Sequence, residues 1–264
     1  MQDVSDKAYA EYSSLVGVRL AWKVLWARSK IRKLSLINRQ KDYLALGRNP
    51  ELLPLHRTLN ACLTRAAGAW PSYDYGEGYF YQSLRTVGIS GLRDTEARIR
   101  AMDLASRVTG RRVLEIGCNS GFVSLSIAAA ASSIVAFDIN PYLIEIARLV
   151  ADYSKIDNVE FSTAEFESFA PNEPFEVVLS FANHSTYDGN TKQSVQSYIE
   201  RCADLLVKGG LFLFESHPPE HEGDGLAGVC ELIGRSFTIE ERRVLEYGTF
   251  LDRGRTFIAA VKPS

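Results

Sequence analysis

The stretch Val113-Leu114-Glu115-Ile116-Gly117-Cys118-Asn119-Ser120-Gly121-Phe122 constrains the fold of this chain more than any other. A short apolar run leads into a turn with glycine at both ends, and an apolar run of helical type follows. The pattern is that of a strand, a tight turn and a helix. Gly117 lets the backbone turn without a Cβ clash, and Gly121 lets a ligand and the next helix approach closely. From Arg112 onward short apolar strands alternate with helices. Strands are predicted at Val113–Ile116, Ser133–Asp138, Asn158–Phe161, Phe175–Phe181 and Gly210–Glu215. Helices are predicted between them at Gly121–Ala130, Pro141–Tyr153 and Thr191–Leu206. This alternation implies an α/β fold, a doubly wound and mostly parallel sheet with helices on both faces. Phe237–Leu245 and Gly254–Val261 read as two further strands. The turn signals Tyr247-Gly248 and Asp252-Arg253-Gly254 between them make an antiparallel hairpin at one edge.

Ahead of this region roughly the first 70 residues read as helical, rich in Leu, Ala, Lys and Arg with few Gly or Pro before Pro50. Ala69–Gly91 is rich in Tyr and Gly and reads as a loop or lid. Thr95–Val108 reads as one helix, with Ile99, Met102 and Ala105 at helical spacing. The expected organisation is an N-terminal helical cap and lid over residues 1–90 and a ligand-binding domain over residues 91–264. A chain of 264 residues with 46% hydrophobic and 23% charged residues has material for one large domain with a helical extension.

Several classes are disfavoured. No run approaches the roughly 20 apolar residues that span a bilayer, and the acidic start Met1-Gln2-Asp3-Val4-Ser5-Asp6 does not read as a signal peptide. Cys62, Cys118, Cys202 and Cys230 are widely spaced without a CxxC pair, which fits reduced thiols and a cytoplasmic location. The net charge of −2 gives no footprint for nucleic acid. The charge is uneven, because Arg19–Lys41 holds eight Lys and Arg and no acid. That stretch could form a basic interfacial helix with Trp22 and Trp26 as membrane anchors. At ~100° per residue, however, Arg19, Lys23 and Lys30 share an arc with Trp26. The expectation is therefore a solvated cap or a contact in a homodimer, with peripheral membrane contact through residues 19–41 as the lesser reading.

The glycine turn and Asp138, which ends the second strand 21 residues after Gly117, together describe a nucleotide site, since an acid there can hydrogen-bond both hydroxyls of a ribose. A nicotinamide site is one reading. Three details move away from it: the spacing Glu115-x-Gly117-x-x-x-Gly121 is not GxGxxG, Glu115 sits inside the strand end, and a long helical region precedes the turn. A carboxylate at Glu115 suits a ligand with a cationic amino acid end better than a pyrophosphate.

Over roughly residues 90–262 the sequence resembles the class I S-adenosylmethionine (SAM)-dependent methyltransferases. Glu115 to Gly121, Asp138, Glu165-Phe166, Phe175 to His184 and Lys208-Gly209-Gly210 come in the family's order. Where the family has a middle glycine this chain has Asn119, the non-glycine residue that best tolerates positive φ. The resemblance implies a Rossmann-like class I methyltransferase sheet. It also implies a SAM site, yielding S-adenosylhomocysteine, in which the Gly117–Gly121 backbone faces the methionine part. Asp138 would hold the ribose and Glu165 the adenine amino group. Cys118, Phe122, Ile139, Phe166 and Ser180 join the expected cofactor contacts. Tyr81, Gln82 and Arg93, ahead of the first strand, could close the pocket.

The acceptor is expected at the polar strand ends, Ser180 to Asp188 and Glu215 to His221, where three of the four histidines fall. Transfer to a hydroxyl needs that hydroxyl deprotonated, a task suited to histidine. His217 and His184 are the candidate bases, with Asn183, Tyr187, Asp188 and Glu215 as acceptor contacts and Glu215 as a group that could orient a ring. A turn-capping role for each histidine stands beside this reading. A divalent metal held by His184, Asp188, Glu215, His217 and Glu220 is not favoured, because no recognised ligand spacing is present. The expected activity is methyl transfer to a small-molecule hydroxyl, on a sugar or a secondary metabolite. N- or C-methylation, or SAM binding without methyl transfer, are the alternatives.

Overall fold

A computed structural model describes residues 29–69, 78–183, 193–217, 224–252 and 254–264. Seven strands form one sheet in the order β3-β2-β1-β4-β5-β7-β6. They are β1 (Arg112–Ile116), β2 (Ser133–Asp138), β3 (Val159–Thr163), β4 (Phe175–Phe181), β5 (Leu206–Glu215), β6 (Thr238–Val244) and β7 (Thr256–Val261). The first five run parallel and β7 lies antiparallel between β5 and β6. The terminal hairpin thus stands at the predicted edge, with its last strand turned inward. β7 carries the buried run Phe257-Ile258-Ala259-Ala260, whereas β6 carries Glu240, Glu241, Arg242 and Arg243. Charged residues suit an edge strand because they discourage further pairing.

Side-chain alternation sends β1, β2, β4 and β5 into two cores, one on each sheet face. Val113, Val177, Leu179, Leu211 and Leu213 face one core, and Leu114, Ile116, Val178, Phe212 and Phe214 the other. The first core also takes residues from α2 (Leu53–Ala69), α5 (Phe122–Ile127) and α6 (Pro141–Ser154). Leu59 and Cys62 of α2 are buried in it, so the core continues across the expected boundary near residue 90. The second core takes Tyr198, Ile199 and Cys202 of α7 (Val195–Asp204) and Val229 and Ile233 of α8 (Asp224–Ser236).

Local chemistry explains most helix limits. Asn140 caps α6 by accepting from Tyr142 N and Leu143 N, with Pro141 in the first turn. The predicted Thr95–Val108 helix is two helices, α3 (Thr95–Met102) and α4 (Leu104–Val108), because Asp103 takes the left-handed conformation at φ 51°. The helix predicted at Thr191–Leu206 is shorter, Val195–Asp204, with Ser194 as its cap and Leu206 already in β5. α8 forms against local propensity. Gly225, Gly228 and Gly234 each disfavour a helix by about 1 kcal/mol relative to alanine, yet Val229 and Ile233 pack into the second core and hold it. A further helix, α1, covers residues 29–48. Among the described residues no helix is long and apolar enough to cross a membrane.

Candidate active site

Strand order reverses at β1, from which the chain runs to β2 and β3 on one side and to β4 and β5 on the other. Loops leave the carboxyl ends of β1 and β4 in opposite directions and open a crevice, where ligands of such sheets sit. The glycine turn lies at this point. Gly117 (φ 66°), Asn119 (φ 55°) and Gly121 (φ 71°) all take the left-handed conformation, so asparagine fills the middle position as its tolerance predicts. A Cβ on Gly121 would stand 2.5 Å from Phe161 Cε1, and one on Gly117 would stand 3.0 Å from the Asn183 Cβ. Close packing, as well as torsion, therefore requires glycine at both ends.

The turn is held from two sides. Asn119 N donates to Asp138 Oδ2 at 2.8 Å, and Asp138 Oδ1 accepts from Asn140 N at 3.0 Å. The carboxylate thus stands at the end of β2, directly beside the turn. Gln82 Oε1 accepts from Phe122 N at 2.9 Å, and Gln82 Nε2 donates to Cys118 O at 3.3 Å. Gln82 thus shapes the turn from the preceding segment. The Ser120 hydroxyl is buried without a hydrogen-bond partner. An orphaned hydroxyl in a turn of this shape fits a polar ligand.

Beneath the turn Glu115 is buried and accepts from Ser124 N at 3.1 Å and from the Ser124 hydroxyl. Burial pushes its carboxyl up to about 7, against the opposing hydrogen bonds from Ser124 and the charge of Arg98. Ile139, half-buried, follows Asp138, and Glu165 is exposed beyond β3. The structure departs from expectation at several side chains assigned to cofactor contact, three of them apolar. Cys118 and Phe122 are fully buried in the first core, and Phe166 lies in the second, 4.7 Å from the Tyr198 ring. Packing into the two cores drew these side chains inward, which leaves the backbone of Cys118 and Phe122 as their part at the turn.

On the acceptor side β4 ends in Ser180 and Phe181, and the Ser180 hydroxyl is buried between Asn183 Oδ1 (3.0 Å) and Tyr198 OH (2.8 Å). Asn183 accepts from Tyr198 OH at 2.7 Å and donates to Ile116 O. Its amide ties β4 to β1 and is not a free acceptor contact. Sequence patterns miss Tyr198, because a single tyrosine in a helix carries no motif. Ala182 between them takes φ 58°, a strained value for alanine. His184, Tyr187, Asp188, Glu220 and His221 lie outside the described residues.

Glu215 requires correction. Expected at the crevice edge, it is fully buried and ringed by Arg93 Nη2 (3.0 Å), Arg98 Nη2 (2.7 Å) and Arg255 Nη1 (3.1 Å). Burial alone would raise its carboxyl; the three guanidinium groups outweigh that and hold it well below the usual carboxylate range. Its oxygens are engaged, so it orients no histidine. Arg93 is likewise buried, donating to Asp252 Oδ1 at 2.5 Å and to Tyr247 OH at 3.1 Å, with the half-buried Tyr81 ring 5.8 Å from its guanidinium carbon. It is a structural clamp and not a hand for a ligand carboxylate. Past Glu215 come buried Ser216, bonded to Thr256 N at 2.8 Å, and half-buried His217. β4 and β5 end side by side, with Phe181 paired to Glu215, and Asn183 and His217 each follow that pair by two residues in the chain. Among the described residues no three His, Cys, Asp or Glu side chains gather as a metal site.

Residues 113–210 match a methyltransferase domain family. A ubiquinone biosynthesis O-methyltransferase of Chelativorans sp. is 27% identical over 169 residues, 61% of this chain and 62% of that protein. One from Xanthomonas euvesicatoria pv. vesicatoria is 30% identical over 119 residues, 44% and 47% of the two chains. The chain thus spans less than two thirds of the length of these curated relatives. Among solved structures, the N-methyltransferase NodS from Bradyrhizobium japonicum WM9 aligns with TM-score 0.53 at 16% identity, covering 64% of this chain and 96% of that one. The [4+2]-cyclase SpnF aligns with TM-score 0.52 at 16% identity, covering 87% and 96%. NodS is also known with S-adenosylhomocysteine bound. At these identities the structural likeness is one of fold.

Proposed function

We propose that this chain, which belongs to the class I SAM-dependent methyltransferases, transfers the methyl group of SAM to a hydroxyl of a small-molecule acceptor. The observation that carries the reading is Asp138, whose carboxylate ends β2 beside the left-handed turn and binds that turn through Asn119 N. SAM, when bound, supplies a methyl group on a positively charged sulfur, an electrophile for the acceptor oxygen. Asp138 binds the ribose hydroxyls, the Gly117–Gly121 backbone lines the methionine part, and Glu165 takes the adenine side. Ser120 offers its hydroxyl to the same ligand. His217, which follows the carboxyl end of β5, removes the acceptor proton at a ring nitrogen, with His184 as the alternative base. The O-methyltransferase name of the curated relatives supports a hydroxyl acceptor; a sugar or a secondary metabolite with a free hydroxyl fits this chemistry. The N-methyltransferase and the cyclase among proteins of this fold mark the two competing readings.

Asp138→Ala removes charge-assisted hydrogen bonds and is expected to weaken SAM binding by about 1.5–3 kcal/mol in titration calorimetry. Unchanged affinity would place the ribose elsewhere. Formation of S-adenosylhomocysteine with hydroxyl acceptors, and its absence with amines, separates the proposed reaction from its competitors.

Glu115 provides a second test. With its carboxyl near 7, a cationic amino group brought close favours the charged form and drives off a proton. Calorimetry at neutral pH in buffers of different ionisation enthalpy is expected to report release of a fraction of a proton, about half or less, on SAM binding. Glu115→Gln is expected to abolish the buffer dependence. A dependence that persists in this variant assigns the proton to another group.

A further inference from the structure

We propose that the outer face of α1 docks on an anionic lipid surface. The helix carries apolar side chains on both faces. Toward the body it turns Ser35, Asn38 and Asp42, all buried, together with Ile31, Leu34 and Leu46, which pack against the first core. Asn38 Nδ2 donates to Gly91 O, while Asp42 accepts from Tyr79 OH and from Ser90 N at 2.8 Å. Toward solvent it turns Leu36 (64% exposed), Tyr43 (77%) and Leu44 (62%), with Ile37 beside them. A helix already anchored on its inner face, with a second apolar stripe turned outward, leaves an apolar surface for something else to cover. A shallow depression of about 420 Å³ lies on this face, lined by Leu36, Arg39, Gln40, Tyr43 and Leu44.

The charges identify the occupant. At ~100° per residue the apolar stripe runs between Arg32 and Arg39 on one side and Lys41 and Arg48 on the other, with Lys33 inside it. All five cations are exposed, and the sole acid of residues 29–48, Asp42, is buried. The partners of Arg39 and Lys41 are neutral groups, the Gly78 carbonyl and the Asn38 amide oxygen. A second copy docked by the same face would bring like charges together around the stripe. An anionic lipid surface instead accepts the leucines and tyrosine among its acyl chains, while long basic side chains reach the headgroups. The expectation from sequence for Arg19–Lys41 was that charge and apolar faces do not segregate, on the arc that Arg19, Lys23 and Lys30 share with Trp26; Trp22 and Trp26 lie outside the described residues. Over residues 29–48 the faces do segregate.

The full chain is tested by co-sedimentation with vesicles of phosphatidylglycerol mixed equally with phosphatidylcholine, and with vesicles of phosphatidylcholine alone. Binding is expected to be at least about tenfold stronger to the anionic vesicles and to fall as salt is raised. L36E/L44E is expected to lose that binding about tenfold or more while its thermal unfolding midpoint stays at the wild-type value. K33E/K41E, which leaves the apolar stripe intact, is expected to lose the preference for anionic lipid. Equal binding to both vesicle types, no binding, or full binding by L36E/L44E overturns the proposal. So does a lipid-free dimer in sedimentation velocity that L36E/L44E dissociates, which would assign the face to a second copy.

Discussion

His217→Ala is expected to lower turnover by about 10²–10⁴-fold, the usual contribution of a general base, while SAM affinity stays at the wild-type value. His217 follows the fully buried pair Glu215-Ser216 at the end of β5, so its backbone is carried by one of the most deeply packed strands of the sheet. Ser216 is pinned to Thr256 of β7, which limits movement of the residue after it. The histidine follows the pairing of Phe181 with Glu215 by two residues, just past the carboxyl end of β5. A base in that position acts on the acceptor and leaves the turn, Asp138 and Glu115 untouched, hence the separation of turnover from cofactor affinity. Imidazole added to His217→Ala is expected to restore part of the lost turnover, which a merely structural histidine would not allow. If turnover stays within about threefold of wild type, well short of a base's contribution, His217 is not the base and the role passes to His184.

Glu215→Gln is expected to destabilise the fold by about 3–5 kcal/mol in urea unfolding at neutral pH. The variant leaves Arg93, Arg98 and Arg255 around an uncharged amide, with Asp252 as the remaining carboxylate bonded to Arg93. Desolvated cations are costly once their counter-charge is gone. The pH dependence follows from the depressed acidity of Glu215. A carboxyl held below its unfolded value stabilises the fold at all pH values above the ordinary carboxylate range. That contribution fades as pH falls below the range toward the folded value. The gap between wild type and Glu215→Gln should therefore be widest at neutral pH and narrow in acid. A gap that does not change with pH would mean that the carboxylate charge is not what the arginines compensate.

Much of the cofactor side was legible in the sequence because its information is local. A strand, Gly117, Asn119 and Gly121 in left-handed backbone, and Asp138 at the end of the next strand declare themselves within a short span, since torsional preference and strand periodicity act between near neighbours. The parallel order of five strands was equally legible from the alternation of apolar strands and helices. Burial was not. Glu215 and Arg93 read as free polar groups at a crevice, yet they form one buried cluster with Arg98, Asp252 and Arg255, in which Arg93 and Asp252 stand 159 residues apart. α8 escaped because its glycines argue against a helix, and only the second core it covers argues for one. α1 reads as basic and helical, but which face turns outward depended on Asn38 meeting Gly91 and Asp42 meeting Tyr79. The shape of the glycine turn and the alternation of the parallel strands with their helices thus follow from the chain's residue order alone, because they arise from preferences of adjacent residues. Which charges are buried, and which apolar side chains stay outside, was settled by the folded packing, because desolvation depends on neighbours that the chain brings together from far away.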